Sequence, residues 1–132
     1  MKLFISHSEL DSKFAVRLAA DLRNEGCDVW LDKWEISPGD KLVERIEEGL
    51  AGAEVFLLLL SPESVVSPWV DYERQAWLAM QIADERTARA ERRSPRRTLI
   101  PVLYRDSEIP TFLQAIRYVR INDEQYLSLI HI

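Results

Sequence analysis

Cysteine and glycine are scarce in this sequence of 132 residues, and both shortages exclude particular kinds of protein. The single cysteine, Cys27, cannot form an intramolecular disulfide, and several cysteines would be needed for a cysteine-built zinc site. With four glycines in all, no GxGxxG motif follows any predicted strand, which argues against a dinucleotide held as a cofactor in the Rossmann manner. We therefore predict no metal site and no resident cofactor.

Long apolar runs are also missing. The longest run, from Val55 to Leu60, has six residues, whereas a membrane-spanning helix needs about 18. The apolar residues near the amino end, Leu3 to Ile5, are too few for the core of a signal peptide, so we expect a cytoplasmic protein. The net charge of −5 argues against binding of a nucleic-acid backbone by the whole domain. These features predict one globular domain whose partners include neither a membrane nor nucleic acid.

The acidic balance is reversed in one segment, residues 84–97, which has six arginines and three acidic residues. Its local charge of +3 leaves −8 on the rest of the chain. Such a segment can bind phosphate or an acidic partner, but more often it is a solvated helix end followed by a loop. We favour the second interpretation.

Short apolar runs alternate with amphipathic stretches, a pattern typical of parallel sheets whose strands are joined by crossover helices. The predicted strands cover residues 2–6, 27–31, 54–60, 98–103 and 117–121, and Cys27 is expected in the core. The apolar faces of the first two predicted helices carry Phe14, Leu18 and Leu22, then Leu42, Val43, Ile46 and Leu50. The third predicted helix begins at Ser67–Pro68 and ends near Arg86. Five strands with right-handed crossovers predict an α/β, flavodoxin-like parallel sheet of order 2-1-3-4-5 with helices on both faces.

In such a sheet, ligands bind in the crevice at the carboxyl ends of the strands. Three polar segments follow the first three strands: residues 6–8, residues 32–40 and residues 61–73. In the third helix, Trp69, Glu73 and Trp77 are spaced by four residues, so the carboxylate lies on an aromatic, inward-facing stripe. The alternative is a carboxylate that is solvated or paired with an arginine. A carboxylate at the crevice, beside an aromatic ring that can stack on a flat ligand, is a candidate functional group.

Four segments together resemble a Toll/interleukin receptor (TIR) domain of the bacterial type: LFISHS, DVWLDKWEISPGD, VFLLLLSPESVVSPWVDYE and IPVLYRDSEIP. The resemblance covers roughly residues 2–126, and we expect a TIR domain over residues 1–126. It implies the flavodoxin-like fold and, for enzymatic members, cleavage of NAD⁺ between nicotinamide and ribose. The family's WxxxE spacing matches Trp69 and Glu73, which implies that Glu73 is the catalytic residue.

The resemblance also implies roles for other residues, with NAD⁺ as a substrate and no cofactor. The candidate substrate-binding residues are Ser6, His7, Asp32, Trp34 and Trp69, with Trp69 stacked on a base. In the family, the loop after the second strand, called the BB loop, mediates self-association. Its candidate residues here are Trp34, Ile36, Pro38 and Gly39. Turn capping or local packing remains the alternative for Ser6, Asp32 and Trp34, and packing or hydrogen bonding remains the alternative for His7.

We therefore predict an NAD⁺ nucleosidase that releases nicotinamide and either ADP-ribose or a cyclic ADP-ribose isomer, in prokaryotic antiphage defence. Two alternatives remain open at this point. One is a non-catalytic TIR interaction module. The other is an enzyme similar to nucleoside deoxyribosyltransferases, which combine this fold with a glutamate that acts on an N-glycosidic bond.

The carboxyl-terminal residues 127–132, LSLIHI, form a tail that resembles the translation of a transposase adapter used to make sequencing libraries. On that interpretation the tail is an artefact, the native chain continues differently after Tyr126, and a sensor domain or partner protein is missing. The alternative is a genuine short terminal segment.

Overall fold

The computed structural model of the chain describes residues 1–31 and 38–104, together with the backbone of residues 119–120. The strands are β1 (Lys2–Ser6), β2 (Asp28–Trp30), β3 (Val55–Leu60), β4 (Thr98–Leu103) and β5 (Val119–Arg120). The helices are α1 (Ser12–Asn24), α2 (Leu42–Gly52) and α3 (Pro68–Glu91). Single turns of 3₁₀ helix precede α1 at Glu9–Asp11 and α3 at Ser64–Val66.

The strands form one parallel sheet, as predicted for an α/β protein. Their order is β2-β1-β3-β4, and the two residues of β5 pair with Val102 and Leu103 at the outer edge of β4. β1 lies between β2 and β3, since Leu3 is paired with Val29 on one side and Val55 on the other. The carboxyl ends of β1 and β3 are therefore neighbours, which brings together the loops that follow them.

Helices cover both faces of the sheet because side chains alternate along each strand. On one face, α1 packs its apolar stripe of Phe14, Leu18 and Leu22 against strand residues that include Leu3 and Leu57. On the other face, α2 and α3 bury Ile46, Leu50 and Trp77 against Phe4 and Phe56. All six residues of β3 are buried, as expected for a strand that is covered on both faces.

The start of α3 is set by local capping. The Ser67 hydroxyl accepts the backbone N–H of Val70 at 3.3 Å, and Pro68 occupies the first helical position, which confirms the predicted start. The predicted end was wrong, because α3 continues to Glu91 and stops only where Arg92 adopts a left-handed conformation. Its last turns are rich in alanine and arginine, which are good helix formers. None of the helices in the described residues is both long and apolar enough to cross a bilayer.

Two further predictions about burial need correction. Leu42 and Val43 are 43% and 49% exposed, because α2 enters the core only from Ile46 onward and its first turn lies outside it. Cys27 was expected in the core, but it precedes β2 and is only partly buried. It packs against the apolar cluster between α1 and the sheet and does not begin a buried strand. The predicted fifth strand, residues 117–121, is described only for the backbone of residues 119–120.

Candidate functional site

Glu73 is a buried carboxylate on the face of α3 that packs against the sheet. It is 3% exposed, and its buried neighbours on that face are Val70 and Trp77. A carboxylate removed from water is strongly destabilised unless polar groups replace its hydration. Its position therefore requires hydrogen-bond donors within the fold.

One such donor comes from the end of β1. The Ser6 hydroxyl, which is fully buried, donates a hydrogen bond of 3.0 Å to Oε1 of Glu73 across a sequence separation of 67 residues. The contact forms because β1 and β3 are neighbours, and the helix after β3 crosses the carboxyl end of β1. A hydrogen bond constrains the direction of its acceptor, so this bond orients the carboxyl group of Glu73. Ser6 and Glu73 are thus two sequence-predicted residues that the fold brings together.

His7 follows Ser6 and is 5% exposed. Its Nδ1 lies 2.7 Å from the carbonyl oxygen of Ser8. A carbonyl can only accept, so we assign a hydrogen to Nδ1. In this geometry Nδ1 holds the ring against the backbone of the loop after β1.

A second buried carboxylate, Asp11, lies in the same region and was missed by sequence reasoning. It is 1% exposed, and its Oδ2 accepts hydrogen bonds from the hydroxyl of Ser8 at 2.8 Å and from the hydroxyl of Ser61. Ser61 and Ser64 also bond to each other, because each backbone N–H donates to the other's hydroxyl, at 2.9 and 3.1 Å. The three-residue spacings Ser8 to Asp11 and Ser61 to Ser64 were the available signals, since short polar side chains at this spacing often bond locally.

Trp69 lies at the rim of the α2- and α3-side core. Its side chain is partly buried and packs against that core, and its ring stacks on Tyr72 with centroids 6.0 Å apart. Trp77, two turns further along α3, is fully buried and stacks on Phe56 at 5.4 Å. The aromatic stripe is therefore divided, because Trp77 belongs to the core whereas Trp69 keeps an exposed portion.

The candidate loop after β2 is described only in part. Asp32, Trp34 and Ile36 lie outside the described residues, as does the tail of residues 127–132. Pro38 and Gly39 are exposed in a turn before α2, and Gly39 has a φ of +90°, which favours glycine.

In the arginine-rich segment, residues 84–97, Arg93 and Arg97 make contacts that stabilise the fold. Arg97 donates to the backbone carbonyls of Leu50 at 2.9 Å and Ala51 at 3.0 Å, so it caps the end of α2. Arg93 is 3.1 Å from Asp84. The backbone N–H of Arg96 and the Arg93 guanidinium both hold the pKa of the Asp84 carboxyl below its usual value, against the opposing effect of desolvation. The favoured interpretation as a helix end followed by a loop agrees with these contacts.

The chemistry available at the Ser6–Glu73 pair is electrostatic. A buried, oriented carboxylate stabilises positive charge that develops on a neighbouring atom, and low local polarity strengthens that effect. Within residues 1–31 and 38–104, no three His, Cys, Asp or Glu side chains are grouped as metal ligands.

A family model described as "TIR domain" matches residues 3–130. The chain is 39% identical over 80 residues to "2′ cyclic ADP-D-ribose synthase BtTIR" of Bacteroides thetaiotaomicron, which covers 60% of this chain and 28% of that protein. It is 35% identical over 81 residues to "NAD(+) hydrolase TcpA" of Theionarchaea archaeon (strain DG-70-1), covering 61% of this chain and 25% of that protein. The chain thus aligns with little more than a quarter of the length of these curated relatives.

Among solved structures, the fold is similar to that of the TIR domain of the Toll-related receptor TRR-2 from Hydra magnipapillata. The TM-score is 0.75 at 19% identity, and the match covers 97% of this chain and 90% of that one. At this identity the likeness concerns the fold alone.

Proposed function

The chain belongs to the TIR domain family, and on that premise we propose that it is an NAD⁺ nucleosidase that breaks the bond between nicotinamide and ribose. The observation that carries the proposal is the buried Glu73 carboxylate, oriented by Ser6 at the carboxyl edge of the sheet. The names of two relatives, a cyclic ADP-ribose synthase and an NAD⁺ hydrolase, support the same reaction class.

A single carboxylate suits this reaction. Nicotinamide is a cationic substituent in NAD⁺ and leaves as a neutral molecule, so cleavage needs no proton donor, unlike glycosidases that use two carboxyl groups. Positive charge moves onto the ribose as the bond breaks. A carboxylate about 4 Å from that charge stabilises it by roughly 4 kcal/mol at an effective dielectric of about 20, which is about a thousandfold in rate. We assign this role to Glu73, with Ser6 as the residue that holds it in place.

The remaining substrate contacts are proposed from the same edge of the sheet. Trp69 offers the exposed portion of its indole for stacking on a base, next to Tyr72. His7 borders the site through the loop that follows Ser6. Asp32 and Trp34 complete the proposed pocket. NAD⁺ is a substrate in this scheme and not a bound cofactor.

The product depends on which nucleophile attacks the ribose. Water gives ADP-ribose, whereas a hydroxyl of the same substrate molecule gives a cyclic isomer, and the relatives carry names of both kinds. Depletion of NAD⁺ or release of a nucleotide signal would each serve antiphage defence, which we propose as the biological context. A sensor domain or partner protein is proposed as the trigger.

We also propose that activity requires self-association through the BB loop. Small-molecule sites usually enclose most of their ligand, and on this proposal a second copy supplies one wall of the site. A head-to-tail contact through Trp34, Ile36 and the exposed turn of Pro38 and Gly39 would build open filaments if its rotation does not close.

Dilution tests this part of the proposal. The rate per protomer should fall on dilution, and Trp34→Glu should abolish that dependence. A specific activity that stays flat over about a hundredfold dilution of a proven monomer would show that one chain holds a complete site.

A substrate panel tests the reaction itself. The purified chain is incubated separately with NAD⁺, with ribonucleosides and with deoxyribonucleosides, and the released bases are separated by chromatography. The proposal expects nicotinamide from NAD⁺ and little release from the nucleosides. Release of base from the deoxyribonucleosides alone, with a second free base supplied as acceptor, would indicate a deoxyribosyltransferase-like enzyme. Release from none of the substrates at high protein concentration would indicate an interaction module.

A further inference from the structure

The Asp11 carboxylate has no part in the proposed chemistry, yet it is as well buried as Glu73. Its Oδ2 accepts from Ser8, in the loop after β1, and from Ser61, at the end of β3, which is 50 residues away. Four serines in or next to these loops are also buried: Ser6, Ser8, Ser61 and Ser64. Desolvating this many polar groups is unfavourable unless their bonds are made, so the network is expected to be rigid.

The two loops joined by Asp11 adjoin the elements that carry Ser6 and Glu73. Ser6 precedes Ser8 by two residues in the loop after β1. On the other side, Ser61 bonds to Ser64, and that 3₁₀ turn leads directly to Ser67, the cap of α3. Two bridges therefore connect the β1 side of the site to the α3 side. One runs from Ser6, at the end of β1, to Glu73 in α3, and the other runs through Asp11 from the loop after β1 to Ser61.

We propose that Asp11 is a positioning residue for the carboxylate of Glu73. By holding Ser8 and Ser61 on one oxygen, it fixes the separation of the two loops and so the direction in which α3 starts. Glu73 then reaches Ser6 without rearrangement. This inference rests on the proposed function, because it concerns the same site. Misplacement of a catalytic group by about 1 Å can reduce the rate by about a hundredfold, so we expect Asp11 to act on kcat.

Kinetics of Asp11→Asn, Ser61→Ala and the double variant test the proposal. Asparagine retains the shape and one acceptor oxygen, which favours folding. We expect kcat for nicotinamide release to fall about 10- to 100-fold in each single variant, with KM within about threefold of the wild type. Because both changes weaken the same bridge, the double variant should be little slower than the slower single variant.

Asp84→Asn is the matched control. Asp84 is also hydrogen-bonded, to the backbone N–H of Arg96 and to Arg93, but it lies eleven residues beyond Glu73 on α3. Its loss should lower the Tm by a few degrees and leave kcat unchanged. If Asp11→Asn and Ser61→Ala behave like Asp84→Asn, with a lower Tm and kcat within about twofold of the wild type, Asp11 is only structural and the proposal is overturned.

Hydrogen exchange separates failure of this proposal from failure of the proposed function. If the wild type releases no nicotinamide, the NAD⁺ assignment fails, and amide exchange then decides the role of Asp11. Positioning predicts at least about tenfold faster exchange over residues 61–67 in Asp11→Asn than in Asp84→Asn. Equal exchange in those two variants overturns the proposal. If Asp11→Asn does not fold, the kinetics and amide exchange are measured on Ser61→Ala, with the same expected and contradicting results.

Discussion

Replacing Ser6 with alanine removes one hydroxyl from a fully buried position and leaves the rest of β1 intact. The lost contact is the 3.0 Å hydrogen bond to Oε1 of Glu73. A hydrogen bond to a charged group contributes about 1.5–3 kcal/mol, and this bond holds the carboxylate in its orientation. If that energy is lost from the transition state, nicotinamide release should slow by about 10- to 100-fold.

Initial rates over a range of NAD⁺ concentrations measure this effect. We expect the loss in kcat and little change in KM, since in the proposed mechanism Glu73 stabilises charge that develops only in the transition state. In the Glu73→Gln background, Ser6→Ala should have little further effect, because its partner is no longer ionised. An equal loss in both backgrounds, or a Ser6→Ala rate within about twofold of the wild type, would refute this reasoning.

Three further predictions concern the surroundings of the site. Trp69→Ala should raise KM for NAD⁺ and lower the Tm only slightly. Trp77→Ala, at a fully buried position, should lower the free energy of unfolding by about 3–5 kcal/mol. Equal losses of Tm in the two variants would show that Trp69 is a core residue. Arg97→Ala should destabilise the fold by about 2 kcal/mol because the last carbonyls of α2 lose their donors, and an unchanged denaturation midpoint would contradict the capping role. The pKa of Asp84 is lowered in the folded protein, so its ionised carboxylate stabilises the fold at pH values above its ordinary pKa near 4. This stabilisation is lost as the pH falls through the lower folded pKa. The Tm of Asp84→Asn should therefore decrease less on acidification than the Tm of the wild type. If the Tm of the wild type and of Asp84→Asn depended on pH in the same way, the stabilising role of the Asp84 carboxylate would be contradicted.

The fold could be predicted to the extent that its signals are local. β1 and β4 match their predicted ranges, because short apolar runs bounded by polar residues define them. The start of α3 was predictable from the Ser67 cap. The end of α3 was not predictable, because arginines occur in both helices and loops. The left-handed conformation that ends the helix is adopted by Arg92, without the glycine that usually marks it.

For the site, the sequence predicted which residues lie near each other but not which of them are hydrogen-bonded. Parallel strands end at a common edge, so Ser6 and Glu73 could be assigned to one crevice from strand order alone. The hydrogen bond between them depends on rotamers and on the path of the loops, which periodicity does not define. Asp11 was missed for a related reason, since its partner Ser61 lies 50 residues away and only the folded chain brings them together.

The central claim is that the negative charge of Glu73 drives cleavage of NAD⁺, and nicotinamide release by Glu73→Gln tests it most directly. Glutamine keeps the shape and removes the charge. Glu85→Gln, an exposed change on the same helix, is the matched control. We predict that Glu73→Gln loses about a thousandfold in rate, with Glu85→Gln near the wild type and all three proteins equally folded by circular dichroism. A Glu73→Gln rate within about threefold of an active wild type, on a verified stable fold, would contradict the account.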